Sequence, residues 1–344
     1  MIPQTSDAST IYRPRTTAGA DVLIVIPSLN EEAHIESVIA ALQADPGCSE
    51  ALIVVSDGGS SDQTVAVAER INNTDPRVRV LTTSKRLGTG VSINRAVECF
   101  GHGRIWLVRV DAHAGYPKDY ASRLVAKAIE TGASSVVTPM FTRGGTCFQR
   151  AAAAAQNSFL GTGGSPHRLL NRGGWVEHGH HAICNLGWFR KVGGYNDTLS
   201  EDPEFDQRLI KSGGRIWLAE DLVITYFPRN NITALFRQYM KHGRGRARTF
   251  FHHGGRRHIR HFILPSIVPI VALGFLAPLY WPLALPALAW LFVCLSYGLS
   301  LGIRQKDVCA AASGYTAIVM QFAWSLGHWR EIISIRARTF FCQP

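Results

Sequence analysis

Short apolar runs alternate with amphipathic stretches over the first third of the chain. Residues 21–26 (DVLIVI) form a strand-length apolar run closed by Pro27. Beyond it, Ile35, Val38, Ile39 and Leu42 recur at i, i+3, i+4 and i+7, the spacing of one helix face. Residues 51–55 (ALIVV) give a second strand, followed by a polar glycine turn and a helix expected over 64–71. Residues 78–81 (VRVL) read as a third strand. Ile93, Ala96, Val97 and Phe100 share one face of a helix that follows a glycine loop. Residues 105–110 (IWLVRV) form a fourth strand, and Ala121, Leu124, Val125 and Ala128 mark another helix. Strands alternating with helices of this length predict βαβ units around a parallel sheet. The unbroken apolar strands agree, because a parallel sheet is covered on both faces.

Sheets of this kind bind ligands beyond the carboxyl ends of their strands. The polar residues gather there: Asn30 and Glu31 after the first strand, Asp57 after the second, Lys85 and Arg86 after the third, Asp111 and His113 after the fourth. The GTG at 88–90 lacks dinucleotide-fingerprint spacing and follows the third strand, and no GxxxxGK[ST] is present. Classical NAD binding and P-loop hydrolysis are therefore disfavoured.

The far end of the chain has a different pattern. Residues 262–303 contain no charged side chain, a run about twice the ~20 residues that one membrane helix needs. A hairpin of two spans, 262–280 and 281–303, is expected, with LYWP (279–282) turning at an interface that favours Trp and Tyr. Residues 308–327, rich in Ala, Gly and Ser and containing Gln321, read as a third span or as a re-entrant segment.

Charge sharpens the division. The 344 residues carry a formal net charge of +11. Residues 237–261 alone hold eight Lys/Arg and no acid. Such a cluster suits nucleic acid, anionic lipid or a phosphate-bearing substrate; its place beside apolar segments, without a nucleic-acid motif, argues against the first. Seven cysteines are scattered with no CxxC pair, so reduced thiols facing the cytosol are expected. The polar first 20 residues read as a flexible tail and not a signal peptide.

PSLNEE (27–32), VVSDGGSSDQT (54–64) and DAH (111–113) occur in order at the expected strand ends, and GGYNDTLSEDPEFDQRL follows downstream. Together they resemble the family-2 inverting glycosyltransferases. Through RQYMKHGRGRA (237–247) the chain is similar to the succinoglycan-biosynthesis (ExoA-like) membrane glucosyltransferases, which tend to read DAH where the wider family reads DxD. The resemblance implies an α/β fold of the nucleotide-diphospho-sugar transferase (GT-A) type. This is a single Rossmann-like domain with a mixed sheet, followed by C-terminal transmembrane helices. It divides the chain into a tail (1–20), a catalytic domain (21–230), a basic amphipathic juxtamembrane segment (231–261), a membrane region (262–330) and a basic tail (331–344).

The same resemblance assigns chemistry. Pro27, Glu31, Asp57, Lys85 and Asp111 match donor-binding positions, with Gln238 and Arg244 the nearest matches to the family's QxxRW motif, although the spacing is longer and the Trp is absent. Glu31 also reads as an acid in a helix's first turn, and Asp57 as an Asx turn. Asp111 would hold Mn²⁺ or Mg²⁺ on the donor diphosphate. His113 would be a second ligand tilting the preference towards Mn²⁺, a phosphate contact, or a turn residue. Asp202 would be the catalytic base, or only the cap of a helix begun by Pro203. Glu201, His180 and His181 fall on the acceptor side; the histidine-rich stretch 176–185 reads as a loop there and not as a zinc site, and Gly243 and Gly245 are expected to break a helix that carries Ile232, Leu235, Phe236, Tyr239 and Met240 on one face. The implied reaction moves a sugar, glucose by resemblance, from a UDP-sugar to a lipid-linked (undecaprenyl-diphosphate) glycan at the bacterial inner membrane, with the catalytic domain cytoplasmic. Polyprenyl-phosphate or glycolipid synthesis, or an inactive scaffold role in a polysaccharide-assembly complex, are the alternatives.

Overall fold

The computed structural model describes residues 19–162, 172–196, 201–253 and 260–341. Most of the expected N-terminal tail lies outside them, as do residues 342–344 of the basic C-terminal tail. Strands β1 (Val22–Ser28), β2 (Leu52–Asp57), β3 (Val78–Leu81) and β4 (Trp106–Arg109) lie parallel in the order β3-β2-β1-β4. They are linked through α1 (Ile35–Gln43), α2 (Thr64–Asn72) and α3 (Thr89–Phe100). Beyond them come β5 (Ala114–Gly115), α4 (Tyr120–Thr131), β6 (Ser135–Thr138), β7 (Met140–Thr142), α5 (Cys147–Gln156) and α6 (Phe159–Thr162). The domain is completed by β8 (Gly174–Val176), β9 (His180–Asn185), α7 (Leu186–Lys191), α8 (Glu201–Lys211), β10 (Ile216–Leu218) and β11 (Ile224–Tyr226). The large sheet runs β3-β2-β1-β4-β9-β6-β10-β8, and β9 lies antiparallel to both β4 and β6, so the sheet is mixed. A small sheet, β5-β11-β7, flanks it.

Alternation along β1 builds two cores. Val22, Ile24 and Ile26 pack with Val38, Ile39 and Leu42 of α1 and Leu124 of α4. Leu23 and Val25 face the other way, towards Ile93 and Val97 of α3 and Phe205 and Leu209 of α8. β9 corrects an expectation. The histidine-rich stretch that contains it reads as a loop, yet Ala182, Ile183 and Cys184 are buried in the middle of the sheet. Three apolar residues behind two histidines are too few to signal a strand.

Helix α9 (Ile232–His253) is continuous through Gly243 and Gly245, where a break was expected. It packs along α13 (Ser313–Phe341). A Cβ on Gly243 would strike the Trp324 carbonyl oxygen, and one on Gly327 would strike that of Met240. These glycines are therefore contact points between two helix backbones. We expect Gly243→Ala to force the helices apart at a cost of about 1–3 kcal/mol, read as a lowered thermal midpoint; an unchanged midpoint would remove this packing role.

Between α9 and α13 lie α10 (Arg260–Gly274), α11 (Leu285–Gln305) and α12 (Val308–Ala311). Among the described residues one helix, Trp281–Gln305, is long and apolar enough to cross a membrane; Phe262–Gly274 is apolar but shorter. The expected first span thus stops at Gly274. The expected third segment, 308–327, is divided between α12 and the first half of α13, whose Ala317 and Met320 join Ala152 and Ala155 of α5 and Leu235 of α9 in a third core cluster. The kink residues of α10 explain another contact. Pro269 has no N–H, so the Pro265 carbonyl loses its partner four residues on. Ser325 Oγ and Trp329 Nε1 of α13 donate to that carbonyl instead, at 3.0 and 2.7 Å. Gln321, the polar residue of the expected third segment, accepts from Trp290 Nε1 and donates to the Leu160 carbonyl.

The cysteine expectation is also corrected. Cys147 of α5 and Cys309 of α12 form a disulfide across 162 residues of sequence. Spacing cannot reveal such a pair, because only the packing of α5 on the C-terminal helices brings the two thiols together.

Candidate active site

Arg109 ends β4, and Asp111 and His113 follow it at two-residue intervals in the segment that leads to β5. Arg109 was read from sequence only as part of an apolar strand. Its guanidinium, 9% exposed, is the centre of the site. Nε donates to Asp111 Oδ1 at 3.1 Å and Nη1 donates to Asp202 Oδ1 at 2.9 Å. His180, at the start of β9, lies against the other oxygens of the same two carboxylates: Nε2 is 3.6 Å from Asp111 Oδ2, and Nδ1 is 3.5 Å from Asp202 Oδ2. Two carboxylates 91 positions apart in sequence are thus joined into one ring by a guanidinium and an imidazole.

Burial pushes the Asp111 carboxyl up, but Arg109 and the imidazoles of His180 and His113 outweigh it and hold the group below the usual carboxylate range. Asp111 is further fixed by Tyr116, whose hydroxyl accepts from the Asp111 N–H at 2.6 Å and donates to its carbonyl at 3.0 Å. Burial holds that phenol well above its ordinary value, so it stays a neutral donor.

His113 and Glu31 meet directly, Nδ1 to Oε1 at 2.7 Å. The hydrogen bond to Glu31 raises the imidazole above its usual range against the opposing effect of burial. With Nδ1 taken, Nε2 is the ring nitrogen left for a ligand. A carboxylate behind an imidazole is the arrangement that orients metal-binding histidines. Glu31 itself is held by its N–H, which donates to Thr64 Oγ1 at 2.7 Å.

Asp57, 2% exposed, ends β2 and closes an Asx turn: its carboxylate accepts from Gly59 N–H at 2.8 Å and Ser60 N–H at 3.0 Å. Gly59 adopts φ +89°, and a Cβ there would press on the Lys85 carbonyl at 3.0 Å. The loop bearing exposed Lys85 therefore lies against the Asp57 turn. Pro27 sits within β1, opposite Ser56 of β2.

Asp202 lies in the first turn of α8, which begins at Glu201, and does not occupy the N-cap expected from Pro203. The side chains of Glu201 and His181 fall outside the described residues. His178 pairs with buried Asp206, Nδ1 to Oδ2 at 2.5 Å. No group of three or more His, Cys, Asp and Glu arranged to hold a metal occurs among the described residues. Gln238 of α9 donates to the Tyr226 hydroxyl at 2.8 Å, and the Tyr226 ring lies edge-on to His113 at 6.4 Å.

Arg244 does not join this cluster. Its Nε donates to Glu331 Oε2 at 2.8 Å, and Arg248 Nε donates to Oε1 at 2.6 Å, clamping α9 to α13. A sequence motif with altered spacing could not show that its arginine faces another helix. Burial raises the Glu331 carboxyl, and the two arginines more than reverse this, leaving it below its ordinary value. A depressed folded-state pKa adds stability above the unfolded value that is lost as pH falls through the folded one. We expect Glu331→Gln to cost about 1–2 kcal/mol at pH 7 and to flatten the loss of stability below about pH 4.5, both read from thermal melts against pH.

The chemistry of the donor set fits a divalent cation. Asp111 is held as a carboxylate and its side chain is 21% exposed; hard cations of this kind are commonly held through one or two carboxylates plus substrate phosphates. Asp202, across Arg109, is a second partly exposed carboxylate, a group able to accept a proton.

Comparisons with known proteins agree with this reading of the fold. Residues 23–193 match the model of Glycosyl transferase family 2, and residues 121–294 match that of Glycosyl transferase family group 2. The chain is 43% identical over 318 residues to the succinoglycan biosynthesis protein ExoA of Rhizobium meliloti, covering 92% of this chain and 96% of that protein. It is 29% identical over 126 residues to a polyprenol monophosphomannose synthase of Mycolicibacterium smegmatis, 36% of this chain and 46% of the other. In structure it resembles the mannosyltransferase PcManGT of Pyrobaculum calidifontis, solved with GDP-Man and Mn²⁺, with a TM-score of 0.59 and 18% identity over 94% of this chain and 88% of that one. A mixed GT-A-like sheet, an extensive match to ExoA and a carboxylate pair at the sheet's carboxyl edge place the chain in glycosyl transferase family 2, as an ExoA-like glycosyltransferase.

Proposed function

We propose that the chain is a metal-dependent inverting glycosyltransferase. In this reading it moves a sugar, glucose by its likeness to the succinoglycan protein, from a UDP-sugar to a hydroxyl of a lipid-linked (undecaprenyl-diphosphate) glycan in exopolysaccharide synthesis. The observation that carries this is the Asp111–Arg109–Asp202–His180 ring, which holds a cation-binding carboxylate and a proton-accepting carboxylate at fixed separation. The donor's nucleoside would lie along the Pro27, Glu31, Asp57 and Lys85 edge, and its diphosphate would approach Asp111 and His113. Gln238, one residue beyond Tyr226 in the contact chain from His113, closes that edge. Bound Mn²⁺ or Mg²⁺ would neutralise charge gathering on the leaving diphosphate.

Asp202 takes the proton from the acceptor hydroxyl as its oxygen attacks the anomeric carbon and the nucleoside diphosphate leaves. Arg109 and His180 keep the base oriented. A single displacement on the face opposite the leaving group inverts the configuration. His180, Glu201 and His181 border the acceptor side. The apolar arms α10 and α11 anchor the chain in the plasma membrane, with the catalytic domain on its cytoplasmic face. The basic face of α9, carrying Arg237 and Lys241, lies beside anionic headgroups.

The test is UDP release by the purified full chain, screened over UDP-sugars and divalent metals with membrane lipid extract as acceptor. Turnover with UDP-glucose, and its loss in Asp111→Asn at every metal concentration, are expected. A His113→Asp variant should shift the metal preference from Mn²⁺ towards Mg²⁺; an unchanged metal profile would take His113 off the cation. No turnover of any UDP-sugar would favour the scaffold alternative.

A further inference from the structure

The two apolar arms are unequal, yet both of their ends are held on one side of the molecule. α10 has 15 residues, about 22 Å at 1.5 Å per residue, against a hydrocarbon core about 30 Å thick. α11 has 21 residues, about 31 Å. The far end of α11 returns to the catalytic domain. Arg150 of α5 pairs with Asp307 through Nε at 2.9 Å and Nη2 at 2.5 Å, and Cys147 is bonded to Cys309. The near part of α10 is pinned to α13 through Pro265, and α13 is pinned to α9 through Glu331. A hairpin whose ends share one side crosses the bilayer twice or not at all, and the shorter arm falls about 8 Å short of a full crossing.

The tip is built for hydrocarbon. From residue 273 to residue 288 the only polar side-chain atoms are the Tyr280 hydroxyl and the Trp281 indole nitrogen. Phe275 and Leu279 are 81% and 84% exposed. The N–H groups of Phe275, Leu276, Ala277, Leu279, Tyr280 and Leu283 each donate to a carbonyl three or four residues earlier, while Pro278 and Pro282 have none to satisfy. Turns that sit in water favour Gly, Asn, Asp and Ser. A turn in lipid must satisfy its own backbone. Cations mark the water level at the other end, where Arg304 and Lys306 close α11.

We propose that α10 and α11 form a re-entrant hairpin. It enters the bilayer from the catalytic-domain side, turns at residues 275–281 within the hydrocarbon, and returns without exposing a residue on the far face. Its partner is the bilayer interior, with anionic headgroups along the basic face of α9. The inference rests on the membrane placement proposed above and replaces two crossings with none.

The test places a cysteine at the tip, Leu279→Cys, in the full chain expressed in bacterial membranes, with Leu276→Cys as a second variant. A membrane-impermeant maleimide polymer is applied to intact spheroplasts, to inside-out vesicles and to detergent-solubilised protein. Exposed Cys99 in the unsubstituted chain reports access from the catalytic-domain side. Tip cysteines should shift in mass only after detergent, while Cys99 shifts in inside-out vesicles. Labelling of the tip in intact spheroplasts overturns the proposal in favour of two crossings. Release of the chain from membranes by alkaline carbonate overturns the membrane placement itself, and labelling of the tip in inside-out vesicles shows a hairpin lying outside the bilayer.

Discussion

Asp202→Asn should abolish sugar transfer and leave donor binding intact. The amide oxygen can still accept from Arg109 Nη1, as Asp202 Oδ1 does at 2.9 Å, so the ring of side chains keeps its shape. What disappears is the ability to take a proton. General-base catalysis contributes about 10²–10⁴-fold, and kcat should fall by that factor while the dissociation constant for the UDP-sugar stays put. The check is single-turnover transfer beside calorimetric donor binding. A variant that transfers sugar at the parental rate would remove Asp202 from the chemistry and return it to the role of a first-turn helix acid. A variant that loses donor binding as well would show a structural role.

Arg109→Met should be equally severe by another route. It leaves Asp111 and Asp202, about one-fifth exposed, facing each other across the His180 imidazole. Arg109 is the first of the charges that hold the Asp111 carboxyl down against burial; without it that pKa rises. The carboxylate is then lost at a higher pH, so the acid limb of the pH–rate profile should move upward. The stability that the depressed carboxyl contributes is present above its unfolded value and lost as pH falls through its folded one; in the variant the folded value lies nearer the unfolded one, so this contribution is smaller and its pH window narrower. Leaving charges without their partner costs about 1–3 kcal/mol of stability. Arg109→Lys restores charge but not the two-pronged geometry and should recover part of the pH profile with little of the rate. If Arg109→Met keeps both its pH profile and its activity, the guanidinium is a bystander.

Much of the donor edge was legible in the sequence, because it depends on local periodicity. Four apolar runs and the helices between them name the parallel half of the sheet, and strand ends name Glu31, Asp57, Asp111 and His113. Arg109 stood in plain view as a charge inside a buried strand, two positions before Asp111, and strand alternation was the signal that could have found it. His180 was taken for part of an acceptor-side loop, since a central antiparallel strand of six residues with two histidines does not look like one.

Fold class, the order of the strand-end polar residues and the uncharged C-terminal run could be read along the chain, because side-chain hydrophobicity repeats at the period of the element that buries it. Tertiary structure decided which charges meet. The Asp111–Arg109–Asp202–His180 ring joins residues from β4, β9 and α8. Arg244 is drawn to Glu331 and not to the donor edge, Gly243 is a helix contact and not a break, and Cys147 finds Cys309. Each of these is set by long-range packing, in which distance along the chain carries no information about distance in space.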